Sequence, residues 1–197
     1  LLKKHNSSQA RTDLAYAYYK LRKYEQALEQ FAQALEHKPV YLPAYYYRAK
    51  THVKMDHFDE AEADYSYFIK HFPQHYYAHY RLGVLKFNRD KHDEAVEIFE
   101  QASKLAPGKN KSKALYYLGK NYQQLGEEYY PKARAAYEAA IRIAPAEIDP
   151  RMGIASLIAD DEQGRIEAEE LYQQVLRLKP NEARAYFNLA VIYKKQG

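Results

Sequence analysis

Residues 24–39 read YEQALEQFAQALEHKP. Ala27, Phe31, Ala34 and Leu35 fall three and four apart, which places them on one face of a helix. Pro39 then closes the stretch, since proline cannot continue a helix. The same landmarks return along the chain. Ala27 is followed by Ala61, Ala95, Ala133 and Ala168. Phe31 is followed by Tyr65, Phe99, Tyr137 and Tyr172, and Pro39 by Pro73, Pro107, Pro145 and Pro180. All three columns step by 34, 34, 38 and 35 residues, a shared period that marks a helical repeat array.

In such an array each unit packs on its neighbours, so a chain of 197 residues needs no single central core. The hydrophobic fraction of 47% includes 22 tyrosines, whose apolar body and polar tip suit half-buried positions. The absence of cysteine excludes disulfides, thiolate metal sites and cysteine nucleophiles. It is compatible with cytoplasm, periplasm or a secreted scaffold alike, and the compartment stays open. No apolar run approaches the ~18 residues of a membrane span, which argues against membrane insertion. The net charge of +4 comes from 30 basic and 26 acidic residues that are interspersed, which gives no nucleic-acid signature. The sequence opens LLKKHNSS and closes partway through a repeat, as expected of a piece of a longer protein.

The periodicity predicts eleven helices. Residues 1–7 read as a lead-in, with Ser7 or Ser8 as N-cap. A first helix follows over about 8–21, carrying Leu14, Ala15 and Tyr18 on one face, and a second over 24–37. The next pairs cover about 42–55 with 57–72, and 76–89 with 92–105. Pro43 suits a first helical turn. In the fourth pair PGKNKS after Leu105 lengthens the connection by two residues, and LGEEYYPKA adds two more between the helices, with Pro131 in the first turn of the second. The fifth pair, about 149–161 and 165–178, carries Gly153 and Gly164, each costing up to about 1 kcal/mol inside a helix. That pair is expected to be the least tightly coupled. A last helix, 183 to about 196, has no partner. Ala61 and Ala95 are expected at buried helix crossings.

These columns resemble the tetratricopeptide repeat family, a helix–turn–helix of 34 residues. In the third unit the motif falls on His79, Leu82-Gly83, Lys86, Ala95, Phe99, Ala102 and Pro107. In the second it falls on Tyr45, Arg48-Ala49, His52, Ala61, Tyr65, Phe68 and Pro73, and in the fourth on Leu115, Leu118-Gly119, Tyr122, Ala133, Tyr137, Ala140 and Pro145. Lys86, His52 and Phe68 depart from the family pattern. The resemblance implies a single all-α domain over 1–197, a right-handed superhelical solenoid of antiparallel helix pairs. Its repeats span about 8–41, 42–75, 76–109, 110–147 and 148–182, followed by the unpaired helix 183–197. It implies first helices on a concave face, and a protein-binding scaffold without catalytic residues or cofactors.

By that geometry the groove positions are Thr12, Tyr16, Tyr19 and Lys20, then Tyr46, Tyr47 and Lys50. Tyr77, Tyr80, Arg81, Val84 and Phe87 follow, then Lys113, Tyr116, Tyr117, Lys120 and Gln123, and in the last helix Arg184, Phe187 and Asn188. The set is aromatic and basic with almost no carboxylates. Adjacent residues on a helix lie about 100° apart, so one of Tyr46-Tyr47 and one of Tyr116-Tyr117 is expected to reach the groove. The expected partner is a protein segment with acidic and apolar residues, held across units two to four. Against this stands a plainer account: tyrosines on first helices can simply pack between units. The acidic residues Asp56, Asp59, Glu60, Glu62 and Asp64, with Asp93, Glu94 and Glu97, gather near second-helix starts, where the helix dipole favours them without any function.

Some relatives in this family clamp the C-terminal carboxylate of heat-shock chaperones. At the clamp positions stand Thr12, Tyr16, Tyr47, Tyr77 and Arg81, and only Arg81 fits, which disfavours that ligand. His71, His75 and His79 have metal-ligand spacing, but Pro73 interrupts their helix. No phosphate loop or nucleophile motif is present. Two functional classes remain: a binding scaffold in its own right, and an assembly or regulatory region of a larger protein such as an enzyme or a secretion or envelope machine. The rival to groove binding is binding through the convex face or an open end of the array, including self-association where the last helix lacks its partner.

Overall fold

The computed structural model describes the backbone of residues 2–196 and the side chains of residues 8–195. These residues are all-α, with eleven helices: α1 (Leu2–Lys20), α2 (Tyr24–His37), α3 (Leu42–Lys54), α4 (Phe58–His71), α5 (Tyr76–Asn88), α6 (His92–Leu105), α7 (Gly108–Leu125), α8 (Tyr130–Ile143), α9 (Asp149–Ile158), α10 (Gly164–Leu178) and α11 (Ala183–Gln196). They fall into two compact units, Leu1–Leu85 and Lys86–Gly197.

In the first unit α1 packs on α2 and α3 on α4. The α1–α2 seam is built from Ala15, Ala27, Phe31, Ala34 and Leu35, with Ala44 of α3 joining it. In the second unit Ala133 and Tyr137 of α8 meet Ile154 and Leu157 of α9. Ala168, Tyr172 and Val175 of α10 meet Met152 and Ala155 of α9 and Ala185, Leu189 and Ile192 of α11. The alanine column is what brings the backbones together. Ala27, Ala61, Ala95, Ala133 and Ala168 are all fully buried, and the aromatic four residues on fills the space each opens.

The prolines do more than stop helices. The Pro39 carbonyl accepts the Tyr45 hydroxyl at 3.1 Å. His79 Nε2 meets the Pro73 carbonyl at 2.8 Å. Arg151 Nη1 donates to Pro145 at 2.7 Å and the Tyr186 hydroxyl to Pro180 at 3.1 Å. Each time the side chain six residues on satisfies a carbonyl outside the helical ladder. That is the physical job of the large residue near the start of α3, α5, α9 and α11, and tyrosine, histidine and arginine all perform it.

The turns inside the first three helix pairs share a second device. Arg22, Asp56 and Asp90 adopt positive φ of 60°, 59° and 57°. The next residue's N–H returns to a carbonyl five positions back: Lys23 to Tyr18 at 2.9 Å, His57 to His52 at 3.0 Å and Lys91 to Lys86 at 3.0 Å. This is a Schellman closure, whose left-handed residue is usually glycine. An L side chain is strained there, while glycine loses more chain entropy on folding. Arg22→Gly is therefore expected to stabilise the protein by about 0.5–1 kcal/mol, seen as a raised Tm in thermal unfolding. A lowered Tm would show that the Arg22 side chain itself holds the turn.

Several sequence expectations are corrected. The first helix begins at Leu2, so 2–7 is helix and not a lead-in. Ser8 is buried inside α1 and caps nothing: its hydroxyl donates to the Ala34 carbonyl at 2.9 Å, pinning α1 to the end of α2. Ser112 repeats this from α7 to the Ala140 carbonyl at 3.0 Å. The side chain of Ser7 lies outside the described residues. Leu14 is exposed, and Ala15 beside it takes the buried position. PGKNKS does not lengthen a connection, because α7 already starts at Gly108 and absorbs the extra residues as helix. The other insertion is taken up by Gly126, at φ 117°, and a single 3-10 turn, Glu127–Tyr129. Pro131 does sit in the first turn of α8. Helix α9 ends at Ile158, three residues before Asp161.

Gly153 has a packing role. A Cβ there would lie 2.6 Å from Cζ of Tyr137, and one at Gly119 would lie 2.6 Å from Cε1 of the same ring. Two helices thus give up their side chains to admit one tyrosine.

Candidate functional site

In the first unit the first-helix positions come together as a cluster of tyrosines around two cations. Tyr16 and Tyr19 of α1, a turn apart, stack at 6.1 Å. Tyr16 meets Tyr47 of α3 at 4.7 Å. Lys50, one turn beyond Tyr46 and Tyr47, places its ammonium 5.2 Å from the Tyr19 ring, 5.7 Å from Tyr46 and 5.2 Å from Tyr47. On α5, Arg81 lies over the Tyr77 ring at 4.8 Å and donates to the Tyr77 hydroxyl at 2.5 Å. Tyr77 and Tyr80 stack at 5.9 Å. The Arg81 charge also acts on the Tyr46 phenol.

Of the paired tyrosines, Tyr46 is the inner one. It is 9% exposed and sits among Tyr65, Phe68 and His75, so Tyr47 is the member with the more open ring. Thr12 is buried and bonds the Ser8 carbonyl at 2.8 Å, which removes it from any open surface. Tyr65 belongs to the same cluster, although its place in the buried aromatic column gave no hint of it. Its ring faces Tyr46, and Arg81 bears on its hydroxyl.

The electrostatics follow from burial. Desolvation lowers the Lys50 ammonium below the ordinary lysine value, and Arg81, Lys20 and Lys54 lower it further. Every charge acting on Lys50 is positive. Desolvation likewise raises Tyr46 and Tyr65 well above an ordinary phenol. Both phenols therefore stay protonated and available as donors.

The second unit builds a related arrangement on α7. Lys120 stands 4.5 Å from the Phe87 ring, 6.0 Å from Tyr116 and 5.7 Å from Tyr117. Phe87 and Tyr117 meet edge-on at 5.9 Å, and Tyr117 stacks on Phe99 at 5.4 Å. Burial again lowers the lysine, but here a carboxylate, Asp149, opposes the shift. Burial and Asp149 together push the Tyr116 phenol up to about 12. Lys113 is exposed, and Arg184 is tied to Asp149 at 2.9 Å and to Glu182 at 2.7 Å. The first-helix positions of this unit are therefore not free of carboxylates.

The acidic residues expected at second-helix starts divide. Asp59 and Glu60 occupy the first turn of α4, and Asp93 and Glu94 that of α6. Glu94 reaches back to the buried Lys86 at 2.5 Å. Asp64 lies in mid-helix and is buried. The three histidines at metal-like spacing each have a local backbone contact. His71 Nδ1 lies 2.9 Å from the Tyr67 carbonyl, His75 Nδ1 accepts the Ala78 N–H at 3.1 Å, and His79 is on Pro73. Among the described residues no group of histidines and carboxylates could hold a metal ion.

Family models match three stretches of the chain. A tetratricopeptide repeat matches residues 46–110, a TPR repeat 162–197, and a further tetratricopeptide repeat 8–39. Together they cover more than half of it, on the columns described above.

The chain belongs to the tetratricopeptide repeat family.

Solved tetratricopeptide structures share its fold at low identity. MamA from Desulfovibrio magneticus RS-1, residue 41 to its end, has a TM-score of 0.78 and 18% identity over 90% of this chain and 97% of that one. PilF from Pseudomonas aeruginosa has 0.78 and 18% over 98% and 85%. YrrB, described as a tetratricopeptide protein with an unusual peptide-binding site, has 0.76 and 19% over 90% and 89%. No curated protein sequence matches the chain. A tetratricopeptide array is a protein-interaction scaffold, in general without catalytic residues, and its partners are proteins or peptides. No described helix is long and apolar enough to cross a membrane.

Proposed function

We propose that this tetratricopeptide array is a non-catalytic scaffold that holds a segment of a partner protein on its first helices, and that the segment carries acidic and apolar residues. One observation supports this above the rest. Lys50 and Arg81 stand half-buried among tyrosine rings, and every charge acting on Lys50 is positive. A cation held that way is partly satisfied by the ring faces and still lacks an anion. Rigid tyrosines beside it offer contact area at small entropic cost, the usual make-up of a binding hot spot. The peptide-binding site of the similarly folded YrrB is consistent with this use of the fold. Tyr16, Tyr19, Tyr46, Tyr47, Lys50, Tyr77, Tyr80 and Arg81 form the primary site. Phe87, Lys113, Tyr116, Tyr117 and Lys120 offer a second aromatic–basic patch on the other unit.

The test is selection of peptides from a random library on the whole chain, followed by affinity measurement. Enriched peptides should combine Asp or Glu with apolar residues. Arg81→Glu should weaken them by about 2 kcal/mol or more, and the association rate should fall with added salt. Glu97→Lys, on an exposed second-helix position, should leave binding intact. Loss with Glu97→Lys and none with Arg81→Glu would sink the assignment. A second reading rests on α11, where Tyr186, Phe187, Val191 and Tyr193 are exposed. If sedimentation shows a dimer that removal of residues 183–197 abolishes, that face is a self-association surface. Either activity would also serve an assembly or regulatory region of a larger protein.

A further inference from the structure

The same cage occurs once in each unit, and the two copies differ in charge. In both, a first-helix lysine sits over two aromatic rings of its own helix and one from the end of an earlier first helix: Lys50 with Tyr46, Tyr47 and Tyr19, and Lys120 with Tyr116, Tyr117 and Phe87. Lys120 has the carboxylate of Asp149 acting on it. Lys50 has instead a second cation, Arg81, and the further charges of Lys20 and Lys54. Neither Lys50 nor Arg81 has a carboxylate partner among the described residues. The Arg81 Nε is buried and makes no hydrogen bond, which leaves a desolvated donor facing no acceptor. The phenol rings differ in parallel, since the third ring of the Lys50 cage is a tyrosine and that of the Lys120 cage a phenylalanine.

We infer that Lys50 and Arg81, with the hydroxyls of Tyr19, Tyr46 and Tyr77, form a seat for a dianion, the phosphoryl group of a phosphorylated side chain on the bound segment. This deepens the segment-binding proposal and rests on it. The charge count selects the ligand. A carboxylate supplies one negative charge and two oxygens, which leaves one of the two seated cations uncompensated. A phosphate monoester supplies up to two charges and three acceptor oxygens. Its oxygens can take the Arg81 fork, the Lys50 ammonium and phenol donors together, and charge-assisted hydrogen bonds of that kind are the stronger ones. A guanidinium and an ammonium also divide the work well, because arginine fixes orientation by its planar fork and lysine adds a compact point charge. The Lys120 cage, with Asp149 beside it, is matched to no such dianion.

The experiment is calorimetric titration of the whole chain at fixed ionic strength with three probes: phenyl phosphate, inorganic phosphate and benzoate. Phenyl phosphate is expected to bind about tenfold or more tighter than benzoate. Lys50→Gln and Arg81→Gln should each remove most of that preference, while Lys70→Gln, exposed in the last turn of α4, leaves it unchanged. Circular dichroism and unfolding of each variant separate loss of the seat from loss of the fold. Benzoate binding as tightly as phenyl phosphate overturns the phosphoryl assignment and leaves an acidic-segment site standing. Inorganic phosphate binding as tightly as phenyl phosphate overturns the side-chain source, since a free anion would then suffice. Binding of none of the three overturns the seat altogether. The selected peptides of the segment-binding test, which carry no phosphate, report on that reading independently.

Discussion

Gly153→Ala is expected to destabilise the protein by about 1–3 kcal/mol, although glycine-to-alanine in an open helix stabilises by up to about 1 kcal/mol. The sign turns on Tyr137. An ideal Cβ on Gly153 falls 2.6 Å from Cζ, 2.7 Å from Cε2 and 2.8 Å from Cε1 of that ring. Retreat is closed on the other side, where a Cβ on Gly119 of α7 would lie 2.6 Å from Cε1 and 2.7 Å from Cδ1. The ring is fully buried, and its hydroxyl donates to Gln123 Oε1 at 2.9 Å, which fixes its tip as well. An added methyl must therefore push a helix, not a flexible side-chain end. Gly119→Ala should cost a similar amount for the same reason. The decisive comparison is in a Tyr137→Leu background. There the clash is gone, and Gly153→Ala should be neutral or stabilising by its helix propensity alone. Urea unfolding of the four variants gives the coupling directly. A raised denaturation midpoint for Gly153→Ala with Tyr137 intact would refute the close approach.

The fold could be read from the sequence because three buried columns repeat with one period. Ala95 and Phe99 are fully buried just as Ala27 and Phe31 are, so the sequence states each packing rule several times. What escaped were features that repeat in conformation without repeating in residue type. Arg22, Asp56 and Asp90 share one left-handed turn position, but none is a glycine, so nothing in their chemistry announces it. Tyr45, His79, Arg151 and Tyr186 all serve a proline carbonyl with three different side chains. Gly153 was misleading in the opposite direction. Glycine inside a helix suggests weakness, and only the Tyr137 ring, sixteen residues earlier, shows it to be a contact. The candidate site was legible as a composition, aromatic and basic on first helices. Helix spacing gives which residues share a face. It cannot give that Tyr46 turns inward, that Tyr65 meets it from α4, or that Asp149 shields one lysine cage and leaves the other bare.

Arg48 and Asp64 carry the second large effect. In the third and fourth units the position before the small residue is leucine, Leu82 and Leu118, and both are buried. In the second unit it is Arg48, and the structure compensates with a carboxylate on the facing helix. Arg48 Nε donates to Asp64 Oδ2 and Nη2 to Oδ1, both at 2.7 Å, a bidentate pair. The Asp64 side chain is 6% exposed and that of Arg48 24%. The guanidinium lies over Tyr45 at 5.2 Å, and Tyr45 stacks on Tyr67 at 4.1 Å. Asp64→Ala would leave that guanidinium in a largely dry seam with no anion. Breaking a buried pair costs about 3–5 kcal/mol, and the partial exposure of Arg48 places this case near the lower end. The double variant Arg48→Leu with Asp64→Ala restores the leucine used by the other units and removes both charges. It should recover most of the loss and can exceed the parent in stability, since a well-packed apolar replacement avoids the desolvation of two ions. Chemical denaturation of the two single variants and the double measures the coupling. If Asp64→Ala alone costs less than about 1 kcal/mol, the pair behaves as an exposed salt bridge, and the dry seam between α3 and α4 is not its environment.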